Sequence, residues 1–207
     1  MDQQPTFNII QGLRFLSVTL LLLVAGNTFA SSHFPLPENH QSTYSVIKYG
    51  TEVGEINNNF QHQDQHISYT SKATPKGAAA FFLNEAITET SYLYWPDDDT
   101  LKTPQQTSYT LHHTRKKKKD QKISFAWPNI NHVDISSTYR KKQVTLSTDE
   151  NVWSSQLLPI LMSSHLLLDN KTKSNRFLIV NKNSLKYYDF TLQGHEVIKL
   201  KQFKQLK

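Results

Sequence analysis

The 207-residue chain has no cysteine, only six glycines and two methionines. Without cysteine no disulfide framework forms, and the residue that carries the lipid of a bacterial lipoprotein is missing. A domain of this length can bury a sufficient core without disulfides, so the absence is no handicap to an exported, soluble mature form. There is no G-x-S-x-G elbow, and no acid is placed to orient a histidine, so nothing supports a hydrolase. There is no internal repeat. Nor does any apolar run reach the roughly 20 residues of a comfortable membrane span.

What is present begins with a short apolar run, Phe15 to Gly26, behind Arg14. Thr28 and Ala30 put small residues at the two positions that a signal peptidase reads. Residues 1–30 are therefore expected to be an export signal forming an N-terminal helix, cut after Ala30, with an uncleaved anchor as the alternative. Its removal takes one acid (Asp2) and one base (Arg14), so the net charge stays at +6, a mild bias toward anionic surfaces. Residues 31–42 hold two prolines and read as a flexible lead-in, and 201–207 as a polar tail.

Between them, residues 43–200 read as one β-rich domain. Runs of alternating residues predict strands over Thr43–Tyr49, Glu52–Phe60, Ile67–Ala73, Thr107–Thr114, Lys122–Trp127, His132–Tyr139 and Gln143–Ser147. Phe177–Val180, Leu185–Leu192 and Glu196–Leu200 follow, separated by turn signals. Residues 78–95 combine a helix-favouring alanine run with the strand-like TSYLYW, and are read as one long or bent strand. The exception is 153–168, WSSQLLPILMSSHLLL, apolar on nearly every side and therefore expected to be a buried helix. The fold class expected is mainly β: a curved antiparallel sheet or open half-barrel wrapped around that one central helix.

Several groups invite chemistry, and each has a plainer reading. Arg115–Lys119 (RKKKK) falls where a hairpin tip belongs; a solvated turn is the first reading, and contact with anionic lipid head groups the second. His62 and His66 have helical zinc spacing but sit in a turn with no third ligand nearby. His112-His113 are strand neighbours pointing to opposite faces. Asp97–Asp99 lacks the alternating oxygen ligands of a calcium loop. Ser154, Ser155, Ser163, Ser164 and His165 have no activating acid, and His165 is expected to be hydrogen-bonded in the core or at its rim. No cofactor, metal, catalytic residue or nucleic acid is called for.

From Tyr44 onward the motifs resemble a family. Tyr44-x-Val46 with Gly50 and Gly54, Tyr69 before Gly77, Pro104 ahead of Tyr109, Phe125-x-Trp127, the buried helix and the closing FLIVNKNSLKYYDFTLQGHEVI follow in the order of a bacterial exported family of unknown function, number 3108. The resemblance implies a periplasmic, mostly-β domain, loosely similar to the carrier fold of the Lol lipoprotein-sorting proteins. It implies no catalytic residue, since that family has no established activity. Two departures stand out: Asp149-Glu150-Asn151 replaces a clearer Asp and Pro before the helix, and no strands follow the Gly194 hairpin, so the sheet is expected to be left open.

The function expected is a non-enzymatic periplasmic protein that holds an apolar or amphipathic envelope component, a lipid or lipoprotein, between sheet and helix. Trp127, Trp153, Leu157, Leu161 and Tyr188 are the expected lining of such a cavity. The alternative is a structural or interaction protein with a filled core that pairs through an exposed sheet edge.

Overall fold

Eight antiparallel strands run in sequence order from β1 to β8 in the computed structural model, which describes residues 34–83, 85–96, 101–168 and 174–193. They are β1 (His40–Lys48), β2 (Thr51–Gln63), β3 (His66–Pro75), β4 (Ile87–Tyr94), β5 (Gln105–His113), β6 (Gln121–Asn129), β7 (His132–Tyr139) and β8 (Lys142–Thr148). The turns are local and chemically plain. Tyr49 and Gly50 (φ 50° and 77°) join β1 to β2, and Arg140 and Lys141 (φ 52° and 66°) join β7 to β8. Paired left-handed residues are the primed turn that matches strand twist. Pro128 sits where the β6–β7 register shifts, a place where a missing N–H does not break the ladder.

A second sheet, ordered β11-β10-β9, has β9 (Val152–Ser154) parallel to β10 (Ser174–Asn181), and β11 (Ser184–Thr191) antiparallel to it. Parallel strands need a long crossover, usually helical. That is the role of the stretch expected as a helix over 153–168. It is strand to Ser154, a 3-10 turn over Ser155–Leu157, and α-helix only over Leu158–Leu168. Pro159 starts this helix instead of interrupting it, because a first-turn N–H has no intrahelical acceptor to lose.

The centre is also different from the one expected. The helix buries Leu161 and Ser164 but exposes Pro159, Ser163 and Leu167. The strand β10 is buried on both faces: Phe177, Leu178, Ile179 and Val180 are all 6% exposed or less. Phe177 and Ile179 join Phe60, Ile67 and Leu93 of β2–β4, with Trp153, Leu157 and Leu161. Leu178 and Val180 join Tyr109, Ile123, Phe125, Val133 and Ile135 of β5–β7. One continuous sheet that covers both faces of a strand has to curl around it. Among the described residues the sheet is open, with β1 and β8 at its edges.

Two other expectations change. Residues 78–95 divide into a short helix (Gly77–Leu83) and β4. Gly77 turns the chain at φ 56°, and the alanine run, which is not paired into the sheet, follows its helix propensity. The lead-in is also more ordered than expected: Phe34 is 3% exposed in the core, and β1 begins at His40. The expected signal (1–30), the strand over 196–200 and the tail lie outside the described residues.

Candidate functional site

Directly opposed residues of an antiparallel ladder share a face, so the register defines the inner face of the large sheet row by row. Phe60, Tyr69, Ser91, Tyr109, Ile123 and Ser137 form a row at the core. Toward the β1–β2 turn comes a polar row, Ser42, Asn58, Ser71, Glu89, Leu111 and Gln121. Beyond it lies an apolar one, Tyr44, Ile56, Ala73 and Ile87, ending at His113. Val46 follows on the same face, opposite Gly54. Tyr44 is 56% and Val46 38% exposed. The polar row carries Ser42 Oγ and Asn58 Oδ1, both buried without a hydrogen-bond partner among the described residues.

The five residues expected to line a cavity are distributed otherwise. Trp153, Leu157 and Leu161 are buried in one cluster, with Tyr188 packed against it and its hydroxyl accepting from Asn181 Nδ2 at 2.8 Å. Trp127 packs on the other cluster and donates from Nε1 to the Gln106 carbonyl at 2.9 Å. Its outer side lines a surface cleft of about 340 Å³ with Leu101, Ile130, Asp149 and Glu150. Trp153, Leu157 and Leu161 fill the core, while Trp127 and Tyr188 border it.

A buried polar knot joins the two sheets, and sequence reasoning missed it. Gln106 Nε2 donates to Ser91 Oγ (3.1 Å) and Ser154 Oγ (2.9 Å), and Ser91 Oγ donates to Gln156 Oε1 (2.7 Å). Gln156 Nε2 donates in turn to the carbonyls of Tyr69 (3.2 Å) and Glu89 (3.0 Å). Every member is paired, which makes the knot a clamp. Scattered Ser and Gln in strands read as surface, so no local signal could have found it.

The ionisable groups have structural partners. Burial pushes the Glu89 carboxyl up despite His113 and a hydrogen bond from Tyr109, and burial likewise pushes the Tyr109 hydroxyl up. His113 is buried against Asp120, whose Oδ1 accepts from the His113 backbone N–H at 2.7 Å. Burial raises Asp120, but hydrogen bonds from His113 and His112 outweigh it and hold the carboxyl below its usual range.

On the helix, Ser163 Oγ bonds its own turn at Pro159, and Ser164 Oγ bonds the Pro35 carbonyl. His165 lies edge-on to Phe34 and Phe177, and burial lowers its pKa. Ser154 belongs to the knot, while Ser155 opens the 3-10 turn. His62 is stacked by Trp95, and His66 lies tilted against Tyr94. Among the described residues no cluster of three or more His, Asp or Glu is placed to hold a metal. Asp97–Asp99 lies outside them.

The sheet edge and the basic tip are accessible. The nine residues of β1 are exposed except for half-buried Ser42. Arg115–Lys119 lies at the β5–β6 tip, as expected, with Lys117–Lys119 forming one 3-10 turn. No curated protein and no solved structure matches the chain. A family model matches residues 42–206, which takes in every strand except the first two residues of β1. The chain belongs to the family described as protein of unknown function DUF3108.

Proposed function

We propose that this is a non-enzymatic protein of the bacterial periplasm that binds an apolar or amphipathic envelope component, a lipid or lipoprotein, on the inner face of its large sheet. The observation that carries the reading is the pair of adjacent rows near β1. Tyr44, Val46, Ile56, Ala73 and Ile87 form an apolar strip beside a polar one in which Ser42 and Asn58 hold unpaired buried atoms. An apolar strip with a few convergent polar groups is what an amphipathic ligand needs. Because Trp153, Leu157 and Leu161 fill the core, the reading moves the ligand from between sheet and helix to this strip. Export of the chain and a likeness to lipoprotein carriers belong to the same proposal.

The filled core also favours a second reading, an interaction protein that pairs through its edge. The nine-residue β1 offers backbone groups that no other strand pairs among the described residues, with Ile47 66% exposed on its outer face. Native mass spectrometry of protein purified from an envelope fraction separates the two. A co-purifying lipid-sized mass that Tyr44→Asp removes is the expected result. A protein-sized mass instead assigns the edge, and neither mass refutes both readings.

A further inference from the structure

We propose that the end of the large sheet bearing the β1–β2, β5–β6 and β7–β8 turns docks on an anionic lipid bilayer. The idea stands apart from the reading of the inner face, since docking requires no carried ligand. A meander places alternate connections at the same end. This end therefore holds the Tyr49-Gly50 turn, the helix Gly77–Leu83, the basic tip and Arg140-Lys141. The β10–β11 turn joins them, because the Lys182 carbonyl accepts from Gln121 Nε2 (3.1 Å) and Ser137 Oγ (2.6 Å). Lys116 fastens the tip to the segment behind the helix through Glu85, with Nζ 2.9 Å from Oε2.

Three features of this end point the same way. Lys117, Lys118, Lys119, Arg140, Lys141 and Lys182 form no ion pair among the described residues. Two of the tips share a hollow of about 480 Å³ lined by four of those cations, Lys118, Lys119, Arg140 and Lys141. Such a hollow suits the phosphate of a lipid head group. The turns themselves use Arg140, Lys141 and Lys182 at left-handed φ, where Gly or Asn is less strained, so charge stands where local preference is for other residues.

The third feature is apolar. Tyr49, Phe81, Phe82 and Leu83 are 95%, 88%, 89% and 60% exposed at this end. Aromatic side chains settle at the membrane–water interface, and stable peripheral attachment takes two signals, of which apolar insertion and a basic patch are one pair. The opposite end is different: among the described residues its connections carry Asp64, Asp149 and Glu150 against the single cation Lys102. The charge asymmetry would orient the molecule on an anionic surface.

The test is cosedimentation of the full chain with phosphatidylcholine vesicles, with and without phosphatidylglycerol. The ratio of the two affinities reads the charge term alone. The wild type should prefer the anionic vesicles, and added salt should erase the preference, since screening shortens from about 8 Å at physiological ionic strength to about 3 Å at 1 M. A variant combining Lys118→Gln, Lys119→Gln, Arg140→Asn and Lys141→Gly should lose roughly fivefold in that ratio per charge removed. Asn and Gly suit the turn, so an unchanged melting temperature shows that the variant is folded. Phe81→Ser with Phe82→Ser should weaken binding to both vesicles. Equal binding of the wild type to the two vesicles, or an unaltered ratio in the charge variant, would overturn the proposal. So would retention of single-stranded RNA by a chain that leaves both vesicles unbound, which would reassign the end to nucleic acid.

Discussion

Gln106 of β5 clasps Ser154 of β9 at both ends of its amide. Its Oε1 accepts the Ser154 backbone N–H at 2.6 Å, and its Nε2 donates to Ser154 Oγ at 2.9 Å. A side chain of the large sheet thus meets the backbone of the small one in an environment where both residues are 0% exposed. The two core clusters draw one on β2–β4 and the other on β5–β7, and β9 gives Trp153 to the first and Val152 to the second, next to Ser154. The Gln106–Ser154 contact is the pin that fixes how the curl closes on β10.

Gln106→Leu should therefore be severely destabilising. It keeps the volume but leaves the Ser154 N–H without its acceptor and removes the donor to two buried hydroxyls. Each buried group left unpaired costs about 1–3 kcal/mol. Urea melts of the variant check this, and Ser71→Ala, at a half-buried position outside the knot, serves as the mild comparison. A Gln106→Leu loss no larger than that of Ser71→Ala would mean that the knot is not a clamp.

The helix and the 3-10 turn before it give a graded prediction. Leu157→Ala and Leu161→Ala, at 1% and 3% exposure, should each cost about 2–5 kcal/mol, as should Ile179→Ala in β10. Leu167, 75% exposed on the same helix, should tolerate alanine within about 0.5 kcal/mol. Denaturant midpoints measure all four. Equal effects at Leu161 and Leu167 would contradict the partly exposed helix described above.

These elements also show what the sequence makes legible. Hairpins are local, so the β1–β2, β5–β6, β7–β8 and β10–β11 pairs are visible from alternation and turn chemistry alone. The basic tip was placed for the same reason. By contrast, β9 is three residues with no periodicity, and its registered partners lie 26 residues on, from Val152 to Leu178, across a helix, so it merges into the apolar run that follows. The FLIV of β10 is visible as a strand, but only the parallel pairing explains why it is apolar on consecutive positions. The inner-face rows depend on register across six strands. No single strand betrays them.

The pH response should isolate Glu89. Burial raises its carboxyl above the ordinary value, so the folded state holds the proton to higher pH than the unfolded one. Stability from this group is then present below the unfolded pKa and lost as pH rises from there through the folded pKa. The neighbours work the other way. Glu55, held low chiefly by the Lys76 hydrogen bond, and Glu85, held low chiefly by the Lys116 hydrogen bond, lose their contributions as pH falls. Glu89→Gln keeps an acceptor for Tyr109 and removes the titration. The variant should be more stable than wild type above the carboxylate range, with the gap closing toward acid pH. Chemical melts at a series of pH values read the difference, and a gap that widens toward acid would reverse the sign of the argument.

Amide hydrogen exchange should rank the strands by how they are covered. Phe177–Val180 are buried on both faces, and Leu178–Val180 are paired with strands on both sides, so the amides of Leu178–Val180 should open only with global unfolding. The strand β1 is an edge, exposed on both faces, with Tyr44, Val46 and Ile47 among its accessible side chains. Edge strands of this length are protected in stable proteins by charge, bulges or a covering element. Here the register shifts between Val46 and Ile47, and only Lys48 supplies charge. The amides of β1 in the full chain should thus exchange well before those of β3, and addition of a ligand or a pairing partner should slow them. If β1 instead matches β10 in the unliganded chain, a segment already covers this edge, and a partner that pairs there would first have to displace it.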